Sequence, residues 1–243
     1  MKEVYFYATC LVDLFFPDAG MAGIELLQDA GVRVIFPRGQ TCCGQPAFNC
    51  GYWEEARAVA RGQLKLFPRD LRVVLPSGSC AGMIKEHYPG LFRGQPEEAQ
   101  AKALSARVFE LTQYLVDVLD LKLEDLGDPV KVTLHASCHA MREQGVRDQP
   151  RALLRQLRNV EVADLAREAE CCGFGGIFSV RQPDLSLAMA ADKAEDARNT
   201  GAALVLSTDG GCLMNIGGVL ERRGPGPNVM HIAQFLRERT HVR

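Results

Sequence analysis

The sequence predicts an α/β protein made of two similar units in tandem, each with its own parallel β-sheet. One observation is a duplication: a Cys-Cys-Gly triplet occurs twice, and each triplet lies between one upstream and one downstream cysteine at matching distances. The other is the alternation, in both halves, of short apolar β-forming runs with helical segments. This alternation is typical of parallel strands joined by helices, and a repeat of this length marks a duplicated unit.

The elements follow in chain order from these patterns. In the first half, we expect strands near residues 4–7, 32–36 and 72–75, and helices near residues 18–30, 53–66 and 97–106. In the second half, we expect strands near residues 131–135, 160–162 and 203–207, and helices near residues 150–157, 184–199 and 232–239. The Pro-containing stretch at residues 126–129 is the expected seam between unit 1–127 and unit 128–243, since proline interrupts regular elements.

The repeat extends beyond the triplets. Val4-Tyr-Phe-Tyr-Ala-Thr-Cys10 aligns with Val132-Thr-Leu-His-Ala-Ser-Cys138. Val73-Val-Leu-Pro-Ser-Gly-Ser-Cys80 aligns with Leu204-Val-Leu-Ser-Thr-Asp-Gly-Gly-Cys212 after a one-residue insertion. Each half therefore carries one site, and we expect a pseudo-two-fold axis to relate the two units.

Eight of the nine cysteines fall into two sets of four, and only Cys50 has no counterpart. Because thiolate is a soft ligand that selects iron–sulfur clusters, zinc or copper(I), the two sets predict two metal centres. Each of these cysteines follows a predicted strand by a few residues, and the loops beyond the carboxyl ends of parallel strands gather along one edge of a sheet. The predicted ligands are Cys10, Cys42, Cys43 and Cys80 for the first site, and Cys138, Cys171, Cys172 and Cys212 for the second.

The adjacent cysteines favour an iron–sulfur cluster over zinc. Neighbouring side chains do not easily occupy two corners of one tetrahedral ion, and structural zinc ligands are usually two to four residues apart. A multinuclear cluster removes this difficulty because adjacent thiolates can bind different irons. Two alternatives stay open: a zinc-bound structural or assembly module, and a thiol–disulfide enzyme that works through the adjacent cysteines.

Two histidines near Cys138 are further candidates for a catalytic role. His135 and His139 could each hydrogen-bond to a cluster sulfur, relay a proton or act as an alternative ligand. A histidine packed at the end of a strand explains His135 equally well. His139 is the better candidate because it opens the loop beside a predicted ligand.

Composition excludes several classes of partner. The net charge of −2 gives no electrostatic reason to expect nucleic acid. No segment approaches the ~20 apolar residues of a membrane span, and the start of the chain lacks a secretory signal, so we expect a cytoplasmic protein without direct membrane insertion. Nine cysteines in a reducing compartment favour metal or redox chemistry over disulfides. The chain has no Gly-x-Gly-x-x-Gly after a strand, so we expect any flavin on a partner.

The Cys-Cys-Gly pattern with distant flanking cysteines resembles the Rossmann-like, cysteine-rich CCG domain. That domain occurs twice in the catalytic subunit of heterodisulfide reductase and in the iron–sulfur subunit of glycolate oxidase. Three strings resemble one branch more closely, the family of lactate-utilisation protein A. These strings are Thr41-Cys-Cys-Gly-Gln-Pro-Ala-Phe48, Glu170-Cys-Cys-Gly-Phe-Gly-Gly-Ile-Phe-Ser-Val180 and Ser207-Thr-Asp-Gly-Gly-Cys-Leu-Met-Asn-Ile216.

The resemblance implies an iron–sulfur electron-transfer subunit of a complex that oxidises L-lactate to pyruvate. Its implied partners are the other subunits of that complex, including another iron–sulfur protein. The chain departs from the heterodisulfide reductase pattern at Met83 and Asn215, where that pattern ends in a further cysteine.

Four thiolates per site suit an ordinary [4Fe–4S] cubane. The five-thiolate noncubane cluster and the disulfide-cleaving activity of heterodisulfide reductase are therefore not carried over to this chain. We expect two [4Fe–4S] clusters, with zinc or empty sites in protein prepared in air. An open iron that takes a ligand from Met83, Asn215 or a substrate stays an alternative.

Overall fold

The computed structural model describes residues 2–242, which form two four-stranded parallel sheets and one two-stranded antiparallel pair. The strand order is β2-β1-β3-β4 in the first sheet and β7-β6-β8-β9 in the second. Because the two orders are equivalent, the predicted α/β fold with two similar parallel-sheet units is confirmed. The strands are β1 (Lys2–Phe6), β2 (Val32–Ile35), β3 (Arg72–Leu75), β4 (Val108–Glu110), β5 (Leu123–Asp125), β6 (Val130–His135), β7 (Val160–Ala163), β8 (Leu204–Ser207), β9 (Asn228–His231) and β10 (Thr240–Val242).

Helices connect the parallel strands and cover the sheets. The helices before β6 are Cys10–Phe15, Pro17–Asp29, Gln45–Asn49, Trp53–Leu66, Gly78–Gly82, the π-helix Met83–His87, Tyr88–Leu91, Glu98–Ser105, Leu111–Gln113 and the π-helix Tyr114–Val118. The helices after β6 are Cys138–Gln144, Asp148–Arg155, Phe178–Arg181, Pro183–Asn199, Gly210–Arg222 and Ile232–Arg239. Between residues 2 and 242, none of the helices combines the length and the apolar character needed to cross a membrane.

Every predicted strand and helix occurs, with bounds that differ by at most two residues. The elements not predicted from the sequence are the short strands β4 and β9, the pair β5 and β10, the helix Gly210–Arg222, and the helices of three to seven residues, such as Cys10–Phe15 and Cys138–Gln144. Strands of three or four residues carry too few side chains to show a period. The helix Gly210–Arg222 contains four glycines, which lower helix propensity. Packing compensates, because Gly217 lies against the side chain of Val229.

Alternate residues of the strands divide the interior into a shared core and two outer cores. Val4 and Phe6 of β1 face the shared core, whereas Tyr5 and Tyr7 face the outer core of the first half. This division follows from the two-residue period of a strand. The shared core also contains Val132 and Leu134 of β6, Leu26 and Leu27 of the helix Pro17–Asp29, and Ile232 and Leu236 of the C-terminal helix. Both sheets therefore pack onto one apolar layer.

An antiparallel pair of strands joins the end of the first half to the end of the chain. β10 pairs with β5 in the register Thr240↔Asp125. Beside this pair, Arg239 and Asp125 form an ion pair of 2.9 Å whose side chains are 9% and 1% exposed. Arg239 also donates a hydrogen bond to the carbonyl of Asp128 at 3.1 Å. The division of the chain into units 1–127 and 128–243 stays a prediction.

Replacing the buried acid of this ion pair tests its importance. We expect Asp125→Ala to lower the free energy of unfolding by about 3 kcal/mol, because removal of one partner leaves a buried guanidinium without its counter-charge. The matched control is Glu161→Ala, which breaks an exposed pair of 3.1 Å with Lys131 and should change stability by less than about 1 kcal/mol. Urea unfolding followed by circular dichroism measures both values. Equal losses in the two variants would contradict the prediction.

Candidate metal centres

The cysteines of the first set meet beyond the carboxyl end of the first sheet. Cys10 begins the helix Cys10–Phe15 after β1, and Cys80 lies in the first turn of the helix Gly78–Gly82 after β3. Cys42 and Cys43 lie in the loop after β2. The sulfur atoms of Cys43 and Cys80 are 3.4 Å apart, and the thiols of Cys10 and Cys43 interact with the sulfur of Cys42. Four residues that are distant in sequence are thus brought together.

The second set repeats this arrangement at the second sheet. Cys138 begins the helix Cys138–Gln144 after β6, and Cys212 lies in the first turn of the helix Gly210–Arg222 after β8. The sulfur atoms of Cys138 and Cys171 are 3.9 Å apart. Cys172 interacts through its thiol with both Cys171 and Cys212. Four of the eight predicted ligands therefore stand in helix first turns, although the sequence placed them in loops.

One cysteine in each set is held as a thiolate. The thiols of Cys10 and Cys43 lower the pKa of Cys42 to about 3. In the same way, the thiols of Cys138 and Cys172 lower the pKa of Cys171 to about 2. The backbone N–H of Gly44 donates to the sulfur of Cys42, and that of Gly173 donates to the sulfur of Cys171, both at 3.4 Å. The first cysteine of each adjacent pair is therefore the strongest anion of its set.

The glycine of each triplet is required by backbone geometry. Gly44 has φ of 89° and Gly173 has φ of 81°, a region that side chains disfavour. A Cβ atom at Gly173 would also lie 2.8 Å from the carbonyl oxygen of Ser186, and one at Gly44 would lie 3.1 Å from that of Ala56. Each triplet therefore turns directly against the second helix after it, Trp53–Leu66 in one half and Pro183–Asn199 in the other.

All eight cysteines of the two sets line one cavity of about 170 Å³. The sulfur contacts of Cys43 with Cys80 and of Cys138 with Cys171 each join members of a single set. Of the nine cysteines, all within the described residues, Cys50 alone lies outside this cavity. None of the nine cysteines takes part in a disulfide, so neither adjacent pair is bridged. The two sets thus remain separate but face the same space.

The two candidate histidines occupy different positions around the second set. His139 lines the cavity, and its Nδ1 lies 3.5 Å from the sulfur of Cys138. His135 is only 1% exposed, and one of its ring nitrogens lies within 4.8 Å of the sulfurs of Cys172 and Cys212. Burial, followed by the charge of Lys193, lowers the pKa of His135 to about 4. The imidazole is therefore neutral at neutral pH.

A buried lysine distinguishes the second site from the first. Gly44 faces Ala56 and Gly173 faces Ser186, and seven residues further along each helix stand Gln63 and Lys193. Both side chains are 1% exposed. Gln63 is neutral and donates to the hydroxyl of Thr41 at 2.6 Å.

Lys193 donates to the carbonyl of Arg167, lies 3.8 Å from Asp196 and interacts electrostatically with Cys172. The sequence analysis missed this buried cation. Extending the alignment of the two halves into the helices after each triplet would have identified it.

The two residues that replace the further cysteine of heterodisulfide reductase have structural contacts. Asn215 donates from its side-chain amide to the carbonyl of Cys172 at 2.8 Å and to the hydroxyl of Ser186 at 3.2 Å. Met83 is fully buried in the outer core of the first half. In that half, Tyr88 donates to the carbonyl of Cys43 at 2.8 Å. Asn215 and Tyr88 therefore perform the same task, which is to hold the backbone of the second cysteine in each pair.

The donor atoms of both sets fit a metal centre. Thiolate sulfur is the ligand that soft metals and iron–sulfur clusters select. Two thiolates on one tetrahedral ion with metal–sulfur bonds of about 2.3 Å lie about 3.8 Å apart, which is close to the measured 3.4 and 3.9 Å. At the second site, His135 adds a nitrogen to Cys172 and Cys212.

Fold and site together define a tandem α/β protein that presents two four-cysteine sets to one cavity. The cysteine-rich domain family, CCG, matches the chain at residues 4–85 and 132–217. Lactate utilization protein A of Geobacillus sp. (strain WCH70) is 46% identical over 240 residues, which cover 98% of this chain and 100% of the relative. The protein of the same name from Bacillus licheniformis is 45% identical with the same coverage. The chain therefore belongs to the CCG cysteine-rich domain family, as a relative of Lactate utilization protein A.

A solved structure supports the fold. A hypothetical protein from Helicobacter pylori matches with a TM-score of 0.66 at 10% sequence identity, and the match covers 97% of this chain and 48% of that chain. The chain thus spans about half the length of the Helicobacter protein. At this identity the likeness concerns the fold alone. The resemblance to CCG proteins and to the lactate-utilisation branch, inferred from the sequence, is confirmed by the two sequence comparisons.

Substitution of single cysteines tests the assignment of the sets. We expect Cys50→Ser to leave the metal content per chain unchanged, because Cys50 lies outside the cavity. The matched variant Cys43→Ser should lower the metal content by about half, since a structural metal site depends on its full ligand set. Elemental analysis of anaerobically purified protein measures both. A loss of metal in Cys50→Ser would contradict the assignment.

Proposed function

We propose that this chain is an iron–sulfur electron-transfer subunit of a complex that oxidises L-lactate to pyruvate. The observation that carries the proposal is the pair of four-thiolate sets that face one cavity. In the proposal, each set holds one cluster, expected to be [4Fe–4S], through the four cysteines named for it above. When bound, such clusters supply one-electron carriage.

The residues around the sulfurs support this assignment by their charge and hydrogen bonding. The helix Gly210–Arg222 directs the positive end of its dipole toward Cys212, which stabilises an anionic group there. The N–H groups of Gly44 and Gly173 donate to sulfur, and such donors tune the potential of a cluster. The ammonium group of Lys193, ion-paired with Asp196 at 3.8 Å, places a buried polar pair at the second site.

The assignment of lactate as the substrate rests on the names of the relatives. The curated relatives described above carry the name Lactate utilization protein A and align over almost the whole chain. The sequence lacks a nucleotide-binding glycine motif for a hydride acceptor. We therefore assign the two-electron chemistry and any flavin to partner subunits, including a second iron–sulfur protein, in the cytoplasm.

A zinc-bound structural module is the second candidate function. The sulfur separations of 3.4 and 3.9 Å match two thiolates on a single tetrahedral ion. The duplicated adjacent cysteines favour a cluster instead, because a cluster offers different irons to neighbouring thiolates. Metal analysis distinguishes the two candidates directly.

The first test of the proposed function is the metal itself. Protein purified without oxygen should be brown, with broad visible absorbance, and should contain iron and acid-labile sulfide in equal amounts, because both sets would hold clusters. Colourless protein that contains zinc and no sulfide would refute the iron–sulfur assignment and favour the structural module.

A second test concerns the division of labour. We expect this chain alone not to oxidise L-lactate at a useful rate, because its thiolate sites suit one-electron carriage and the hydride acceptor is assigned to a partner. Lactate-dependent dye reduction should appear when the chain is mixed anaerobically with its partner subunits. The partners alone serve as the control. Turnover by the isolated chain would place the lactate site here and overturn the subunit proposal.

A further inference from the structure

The two sites differ at one position of the innermost strand in each sheet. Tyr7 follows β1 and His135 ends β6, at equivalent places in the repeat. The hydroxyl of Tyr7 donates to the carbonyl of Thr41 at 2.7 Å, so the polar atom of the first site is satisfied by backbone. The same position in the second site carries an imidazole, which has two nitrogens to satisfy.

His135 has no such partner. The structure gives neither Nδ1 nor Nε2 a hydrogen bond among the described residues 2–242, although the side chain is only 1% exposed. A buried polar group without a partner destabilises the fold, and native structures rarely leave one unless an ordered water, an ion or a ligand completes it. The ring is therefore placed for something beyond the protein's own donors and acceptors.

Two cysteine sulfurs close to the ring indicate which kind of ligand would satisfy its nitrogens. One ring nitrogen and the sulfurs of Cys172 and Cys212 all lie within 4.8 Å of one another. Imidazole nitrogen and thiolate sulfur together are a common donor set for zinc and iron. The strand fixes the backbone of His135, which pairs with Ser207 in the parallel register of β6 and β8. A donor fixed in this way needs little reorganisation to bind.

We propose that His135 is a protein ligand of the metal centre at the second cysteine set, which makes this centre different in composition from the all-cysteine first centre. The proposal rests on the proposed function, since it requires that the second set holds a metal. The nitrogen of His135 then joins the four cysteine sulfurs of the second set, so that one iron of a [4Fe–4S] cluster there carries two protein ligands.

Nitrogen bound to iron is detected by pulsed electron paramagnetic resonance on the anaerobically purified, reduced protein. Samples that contain ¹⁴N-histidine and ¹⁵N-histidine are compared, so that only histidine nitrogen changes the echo modulation. We expect a strong nitrogen coupling in the wild-type protein and its loss in His135→Gln. His139→Gln is the matched control, because His139 also lies beside a cysteine of this set, and the coupling should persist there.

Three results overturn the proposal. The first is clusters with no histidine coupling, the second is a weak coupling typical of a ring that is near but not bound, and the third is a coupling that disappears in His139→Gln instead. Should His135→Gln fail to fold by circular dichroism, the isotope comparison on wild-type protein and on His139→Gln decides.

Failure of the proposed function is distinguishable from failure of this inference. Zinc without sulfide would refute the iron–sulfur function while His135 is still tested, by X-ray absorption at the zinc edge. There a zinc–nitrogen shell at about 2.0–2.1 Å supports ligation if His135→Gln removes it and His139→Gln does not. A shell of sulfur alone overturns it. Protein that binds no metal after anaerobic reconstitution refutes both proposals.

Discussion

The contact on which the site depends is the shared apolar core between the two sheets. Val4 and Phe6 from one sheet and Val132 and Leu134 from the other pack into the same cluster. Because cores are closely packed and resist deformation, this layer fixes the distance between the carboxyl ends of both sheets. The cavity lined by the eight cysteines of both sets depends on this fixed distance between the sheets. Neither half builds that cavity from its own residues.

Duplication supplies two sites with the same backbone and different interiors. Both sites use a triplet glycine with positive φ and hold the first cysteine of the pair as a thiolate. The residues behind the sulfurs differ, with glutamine in one half and lysine in the other at equivalent buried positions. A few side chains in a common frame are therefore enough to surround the two centres with different polar groups.

The sequence predicted those parts of the fold whose information is local. The strands and helices with a clear period all occur, and the spacing of the cysteines predicted which of them come together. The ribbon of β5 and β10 and the helix Gly210–Arg222 escaped prediction, because short strands show no period and packing overrides the low helix propensity of glycine. That His135 has no hydrogen-bond partner among the described residues could not be predicted either, since it depends on which groups distant in sequence fail to reach its ring. Lys193 was predictable in principle, from the repeat, but appears in sequence as an ordinary helix residue.

The antiparallel pair of β5 and β10 affects the order in which parts of the chain can fold during synthesis. Its outer strand, Thr240–Val242, comprises the last residues described, and it pairs with a strand more than a hundred residues earlier. Domains near the N-terminus generally fold first as a chain is made, yet here β5 pairs with a strand that is synthesised more than a hundred residues later. The ion pair of Arg239 with Asp125 forms at the same late moment. Pairing of β5 with β10 therefore follows synthesis of both halves, and a chain truncated before Arg239 keeps a buried acid without its counter-charge.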